Sequence, residues 1–102
     1  MAKLVALYQK PADAKAVDAY YFSRHVPTAK KVPGLRRYEV NSGPIVSPQG
    51  ESACHLIATL SFDSVDTIQR ALASPEGQAT AGDLAKFAQA GVELLVFDST
   101  EV

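Results

Sequence analysis

Tyr20, Tyr21 and His25 lie close together just before Pro27 and are the residues of this chain best suited to chemistry. Read as a helix, this segment places Tyr21 and His25 on one stripe, because residues four apart stack on the same helical face. A proline disfavours helical geometry in the residue before it, so we expect the helix to end near His25. The negative end of the helix dipole favours the protonated form of an imidazole at the helix C-terminus. The Tyr21 phenol would lie one turn before this imidazole. This arrangement could transfer protons or hold a polar ligand.

The predicted catalytic residues are His25, Tyr21 and Tyr20. His25 is the candidate general acid or base, because histidine most easily exchanges a proton near neutral pH. Tyr20 and Tyr21 differ by about 100° around the helix, so only Tyr21 shares the His25 stripe and is favoured at a pocket. Both phenols are predicted to orient the histidine or the substrate. In the structural alternative, His25 caps carbonyl groups at the helix end, and either phenol is a core residue with its hydroxyl satisfied at the rim.

Tyr8, Tyr38 and His55 are predicted to bind substrate by lining the same cavity. They lie at the end of the first predicted strand, in the second strand and in the third strand. Because side chains alternate along a strand, His55 is expected to face away from Leu56, on a mixed face suited to a polar cavity or a dimer interior. The alternatives are that the two tyrosines are ordinary strand aromatics and that His55 is a hydrogen-bonded interface residue.

The other ionisable and sulfur-bearing residues offer little evidence of chemistry. Asp83 is expected to be a solvated helix residue, and Cys54 a buried, inert thiol. Two histidines and a single cysteine have no recognisable metal-ligand spacing. Glycine-rich nucleotide motifs and the serine-hydrolase motif are absent from the sequence. We therefore expect no metal and no cofactor.

Composition favours an ordinary globular protein. The chain has 102 residues, of which 47% are hydrophobic and 21% charged, with a formal net charge of −1. This length predicts a single domain over residues 1–102. The charge balance argues against nucleic-acid binding, which needs a basic patch. We expect a cytoplasmic protein without a membrane segment, because one cysteine permits no internal disulfide and no apolar run approaches the length of a membrane span.

Apolar runs and turn residues predict the order β-α-β-β-α-β. The predicted strands are 3–8, 35–41, 53–62 and 92–97, and residues 42–50 form a loop. The first helix begins after Asp13 and ends near His25. Asp63 is predicted to cap the second helix, and Ser74 followed by Pro75 ends it and begins a further helical segment.

This order is that of an α+β, ferredoxin-like fold, with a four-stranded antiparallel sheet and both helical segments on one face. The first and last strands read as nearly continuous apolar runs, which suits burial on both faces. The face without helices would then expose a large apolar patch. We therefore predict a homodimer that packs sheet on sheet, with a cavity between each sheet and its own helices or inside the joined barrel.

Two segments carry a resemblance to a known family: the helix with Tyr20, Tyr21, His25 and Pro27, and the turn and strand 33–38. They resemble the EthD family of the dimeric α+β barrel superfamily, and segments 62–64, 73–77 and 83–87 fit as well. The resemblance implies a ferredoxin-like fold, a tight homodimer and a small hydrophobic pocket. The superfamily includes cofactor-free monooxygenases, isomerases, cyclases, dehydratases and some haem-binding members.

The functional hypothesis is a small-molecule enzyme of EthD type that acts on an apolar, oxygenated organic compound. It would work by cofactor-independent proton transfer, as in an isomerase, a dehydratase or cyclase, or a monooxygenase-like enzyme. The first alternative is a non-catalytic protein that binds a small ligand or assists a degradation pathway. The second is a haem-linked protein that uses His25 or His55 as the iron ligand.

Overall fold

A four-stranded antiparallel sheet forms one layer of the computed structural model, which describes residues 1–102. The strands in chain order are β1 (Ala2–Gln9), β2 (Arg37–Val40), β3 (Val46–Ser47), β4 (Gly50–Glu51), β5 (Cys54–Phe62) and β6 (Val92–Asp98). The main sheet has the order β2-β5-β1-β6, which confirms the ferredoxin-like arrangement. The short strands β3 and β4 pair separately as a hairpin, in a region predicted to be an irregular loop.

The helical layer contains α1 (Ala14–Tyr20), a π-helical segment (Tyr21–His25), α2 (Val26–Ala29), α3 (Val65–Ala73) and α4 (Pro75–Phe87). The predicted end of the first helix at His25 is wrong, because the helical run continues through Pro27. In the π segment the Val26 amide bonds the Tyr21 carbonyl, five residues back. Pro27 then occupies the first turn of α2, where a missing amide hydrogen is tolerated. None of these helices combines the length and apolar character needed to cross a membrane.

Side-chain caps fix where α1 and α3 begin. Asp13 accepts a hydrogen bond from the Ala16 amide, as predicted for the start of α1. The predicted cap of α3 is wrong by one residue: Ser64, in an extended conformation, accepts a hydrogen bond from the Thr67 amide at 3.1 Å. Asp63 instead pairs with a guanidinium group in the 33–38 segment.

Ser74 confirms the predicted break between α3 and α4. It ends α3, and its hydroxyl accepts a hydrogen bond from the Gly77 amide at 3.0 Å at the start of α4. The two helices approach so closely here that a Cβ on Gly77 would lie 2.0 Å from the Ala71 carbonyl oxygen. Glycine is therefore required for this turn between helices.

The core lies between the sheet and the helices. Alternate residues of β1 and β5 face the helices and meet buried side chains of the π segment, α3 and α4. The largest fully buried side chains are Tyr21, Phe62 and Ile68. This packing orients the sheet face that forms the floor of the site.

The opposite face of the sheet has no helical cover. Its apolar residues gather on β1, β6 and the adjoining part of β5 and include Val5, Leu7, Ile57, Leu95 and Phe97. Polar residues such as Glu39 and Thr59 interrupt it toward β2, so this face is mixed rather than uniformly apolar. Along the edge strand β6, four consecutive apolar residues, 94–97, are each 41–48% exposed.

Candidate functional site

A cavity of about 60 Å³ lies between the sheet and its helices. It is lined by 19 residues, 16 of them hydrophobic, and no lysine, arginine, aspartate or glutamate is among them. Its polar groups are the hydroxyls of Tyr8, Tyr21 and Tyr38, the His25 imidazole and the Thr80 hydroxyl. The Thr80 hydroxyl is occupied, because it donates to a backbone carbonyl of its own helix. The other polar side chains that line this space are three phenols and one imidazole.

His25 is held by a carboxylate from the other helical segment. Its Nδ1 lies 2.9 Å from Oδ2 of Asp83, and only 4% of the His25 side chain is exposed. Asp83 also accepts a hydrogen bond of 2.6 Å from the Tyr20 hydroxyl. The expectation that Asp83 is a solvated helix residue is wrong, since only 12% of its side chain is exposed. One sequence signal pointed to it: Asp83 and the core residue Phe87 are four apart on α4 and share a face.

The charge of Asp83 determines which nitrogen of His25 carries hydrogen. Burial disfavours the ionised form of Asp83, but the hydrogen bonds from Tyr20 and His25 outweigh it, and the pKa of Asp83 lies below its usual value. An ionised carboxylate can only accept, so Nδ1 of His25 donates to it. Nε2 has no hydrogen-bond partner in the protein. Asp83, on α4, is the hydrogen-bond partner of this imidazole, rather than a backbone carbonyl at the predicted helix end.

The phenols adjoin this histidine. The Tyr21 ring packs against the His25 ring at a centroid distance of 5.2 Å and against the Tyr8 ring at 5.7 Å. The hydroxyls of Tyr21 and Tyr38 are 2.5 Å apart. Burial is the main reason why the pKa of each of Tyr8, Tyr21 and Tyr38 is raised. The structure therefore brings four of the predicted residues to one cavity, with Tyr20 behind them on Asp83.

His55 lies outside this cavity. The strand β5 has one residue more than β1 between the pairs at Cys54 and Leu56, and that extra residue is His55. Such a bulge breaks the alternation on which its predicted direction rested. Nε2 of His55 bonds the Asp18 carboxylate of α1 at 2.7 Å, and the two residues line a separate, polar cleft. Cys54, at the same cleft, is half-buried rather than buried as predicted.

Fold and site together define a ferredoxin-like α+β protein with a buried histidine–carboxylate pair at a mainly apolar cavity. A family model described as the EthD domain matches residues 9–91. The chain belongs to the EthD family. This confirms the resemblance that the helix motif and the 33–38 segment indicated.

Individual relatives cover nearly the whole chain. An uncharacterized 11.0 kDa protein of Rhodococcus erythropolis, from the thcB-thcC intergenic region, is 36% identical over 102 residues, which are 100% of this chain and 98% of the relative. A crystal structure of an EthD family protein from Bacillus halodurans is 39% identical, with a TM-score of 0.89 and coverage of 98% and 99% of the two chains. SnoaB, a cofactor-independent oxygenase from Streptomyces nogalater, shares the fold at 17% identity and a TM-score of 0.69, with coverage of 99% and 94%.

Proposed function

We propose that this protein is a small-molecule enzyme that transfers protons on an apolar, oxygenated organic compound, with His25 as the acid or base. The observation that carries the proposal is the orientation of the imidazole. Asp83 holds Nδ1 at 2.9 Å, and the unpartnered Nε2 belongs to a residue that lines the cavity. A histidine that is oriented by a carboxylate and lines a mainly apolar pocket is an arrangement that supports general acid–base catalysis.

The surrounding residues support this role in distinct ways. Asp83 would stabilise the imidazolium that forms when Nε2 takes a proton, as carboxylate partners of histidine do in other enzymes. Tyr20 holds Asp83 through its hydroxyl, and Tyr21 packs against the imidazole, so both phenols position the base. Tyr8 and Tyr38 are proposed to contact the substrate. His55 has no part in this proposal, because it faces another cleft.

Proton transfer of this kind needs no cofactor. It would serve an isomerase, a dehydratase or cyclase, or an enzyme that forms an enolate before oxygen is added. SnoaB, which shares this fold, is described as a cofactor-independent oxygenase, and this description fits the same class of chemistry. These reactions diverge only after the first proton has moved, so the proposal concerns that first step.

Deuterium exchange tests the proposal whichever product the complete reaction gives. Small ketones, lactones and phenols are incubated with the protein in deuterated water, and incorporation at carbon is followed by mass spectrometry. His25→Gln is expected to slow exchange by roughly 10²–10⁴-fold, the usual contribution of a general base. His55→Gln, the matched control, is expected to exchange at the wild-type rate, because His55 does not line the cavity. Equal exchange by wild type and His25→Gln would show that His25 is not the base.

The cavity also favours a second candidate, a non-catalytic protein that binds a small ligand. Sixteen of its 19 lining residues are hydrophobic, and its volume of about 60 Å³ is small. An apolar cavity of about 150 Å³ is known to hold benzene, so a ligand of that size requires this cavity to widen. Leu72 and Leu94, which line the cavity and are partly exposed, are the side chains proposed to move. A ligand that raises the melting temperature without any deuterium exchange would favour this candidate.

We also propose a homodimer in which the uncovered sheet faces pack together. Support comes from the apolar cluster of Val5, Leu7, Ile57, Leu95 and Phe97, and from the exposed apolar stretch of β6. Burying this surface against a second copy would remove it from water. Leu95→Glu is expected to shift the species seen by sedimentation from dimer to monomer. Val46→Glu, an equally drastic change on the separate hairpin, is the control, and a monomeric wild type would contradict the proposal.

A further inference from the structure

We infer that the hydroxyls of Tyr8, Tyr21 and Tyr38 form a hydrogen-bond donor site for the oxygen of a neutral carbonyl compound, and that the cavity excludes carboxylates. This inference deepens the proposed function, because it names the class of substrate on which His25 would act. It depends on three features of the cavity: the number of free donors, the absence of a cation and the position of the base.

The number of free donors follows from the hydrogen bonds within the cavity. The three phenols carry three hydroxyl hydrogens, and the contact between Tyr21 and Tyr38 at 2.5 Å uses one of them. The Tyr8 hydroxyl has no hydrogen-bond partner in the protein. The Tyr8 ring packs against the Tyr21 ring at a centroid distance of 5.7 Å, and the Tyr21 hydroxyl contacts that of Tyr38, so the three phenols are neighbours. Two hydrogens remain for a ligand, which matches the two lone pairs of one carbonyl oxygen.

The charges around the cavity select against anions. No lysine or arginine lines it, and the charged side chain paired with its His25 is the Asp83 carboxylate, which carries the same sign as an anionic ligand. A carboxylate ligand would lose its hydration without gaining a fixed positive partner, which is costly in an apolar site. A neutral ketone, aldehyde, ester or lactone loses far less on entry. The raised pKa values of the buried phenols keep them protonated, so they remain donors.

The position of the base connects this donor site to the reaction. His25 Nε2 would take a proton from the carbon next to the carbonyl group, and the C–H electron pair would become a C=C bond. The carbonyl π electrons would move to the oxygen, which becomes an enolate without any external oxidant or reductant. Two fixed hydroxyl donors bind that oxyanion more strongly than the starting carbonyl. Return of the proton to the same or another carbon gives exchange or isomerisation.

A comparison of two ligands of nearly equal shape tests the inference with the wild-type protein. We expect 2-butanone to bind and propionate to bind at least tenfold more weakly, both measured by NMR titration at neutral pH. The carbon-13 signal of carbonyl-labelled 2-butanone is expected to move downfield on binding, since the oxygen accepts hydrogen bonds. Equal or tighter binding of propionate, as would follow if protonated His25 paired with it, would overturn the inference. Failure of both 2-butanone and cyclopentanone to bind would overturn it as well.

Two conservative variants locate the donors. Tyr8→Phe and Tyr38→Phe should each reduce the downfield shift and weaken 2-butanone binding about 3- to 10-fold, the effect of one lost hydrogen bond. Thr80→Val is the matched control, because it removes the cavity hydroxyl whose hydrogen is already donated to the Glu76 carbonyl. If bound 2-butanone showed the same carbon-13 shift in both tyrosine variants as in the wild type, the inference would be overturned. A shifted ketone signal with no deuterium exchange in the wild type would refute the proposed function and leave the donor site standing.

Discussion

The hydrogen-bonded group of Tyr20, Asp83 and His25 gives the most direct test of the site as a physical unit. Asp83 accepts from the Tyr20 hydroxyl at 2.6 Å and from His25 Nδ1 at 2.9 Å, so the two bonds share one carboxylate. Because the carboxylate is ionised and largely buried, both bonds are charge-assisted. The perturbations are Asp83→Asn, Tyr20→Phe and the double variant.

The magnitude of each change follows from the number of bonds it removes. A hydrogen bond to a charged group contributes about 1.5–3 kcal/mol, and a neutral one about 0.5–1.5 kcal/mol. Tyr20→Phe removes one charge-assisted bond at a half-buried site, and we expect a loss of about 2 kcal/mol in the free energy of unfolding. Asp83→Asn weakens both bonds and is expected to cost about 3 kcal/mol. Because Tyr20→Phe removes the Tyr20–Asp83 bond and Asp83→Asn weakens the same bond, the double variant should cost only about 4 kcal/mol, a coupling of about 1 kcal/mol.

Urea unfolding of the wild type, the two single variants and the double variant measures this coupling. Circular dichroism monitors the unfolding, and all four proteins are compared at the same concentration. A second readout is acid titration. The pKa of Asp83 is lowered on folding, so its contribution to stability is present above its unfolded value of 3.8 and is lost as the pH falls through the folded value. Asp83→Asn should therefore be less sensitive to acid than the wild type. Free energies that add to within about 0.3 kcal/mol would refute the shared-carboxylate argument.

Two further predictions concern packing and the phenols. Gly77→Ala should destabilise the protein by about 3 kcal/mol, because the new Cβ would lie 2.0 Å from the Ala71 carbonyl oxygen. The control is Gly82→Ala in the same helix, where a Cβ meets nothing within 4 Å. This control should stabilise the protein by about 0.5–1 kcal/mol, and chemical denaturation measures both changes. The pKa of every tyrosine is raised above 10.0, so the stability that neutral phenols provide persists up to that pH and falls as the pH rises further. Tyrosinate absorbance should accordingly appear together with loss of circular dichroism, and a folded protein whose tyrosines titrate near pH 10.0 would contradict this.

The fold was predictable because its determinants are local. Apolar runs of strand length, the Ser74-Pro75 break and the cap at Asp13 each act within a few residues, and together they dictate the order of elements. The errors lie where two local signals compete. Asp63 and Ser64 are both good caps; in the structure Asp63 pairs with Arg36, which lies just before β2, and Ser64 caps α3.

The site was predictable only in part, for a related reason. His25 and Tyr21 share a helical stripe, so their proximity follows from spacing alone. Asp83 is 58 residues away from His25, and its contact with the imidazole exists only after α4 has packed on the π segment. His55 was misplaced because a bulge is a property of paired strands, and one strand read alone cannot reveal it.

The π segment belongs both to the helix and to the site, because it begins at Tyr21 and ends at His25. Tyr20 and Tyr21 are neighbours, yet one hydroxyl reaches Asp83 on α4 and the other reaches Tyr38 on the sheet. An i to i+5 turn is less favourable than a regular α-helical turn and persists where tertiary contacts compensate. Here the compensation comes from the buried Tyr21 ring and the Asp83 bonds. The same contacts that would orient the base therefore also maintain the unusual turn, so the geometry of His25 and the shape of this helix depend on one another.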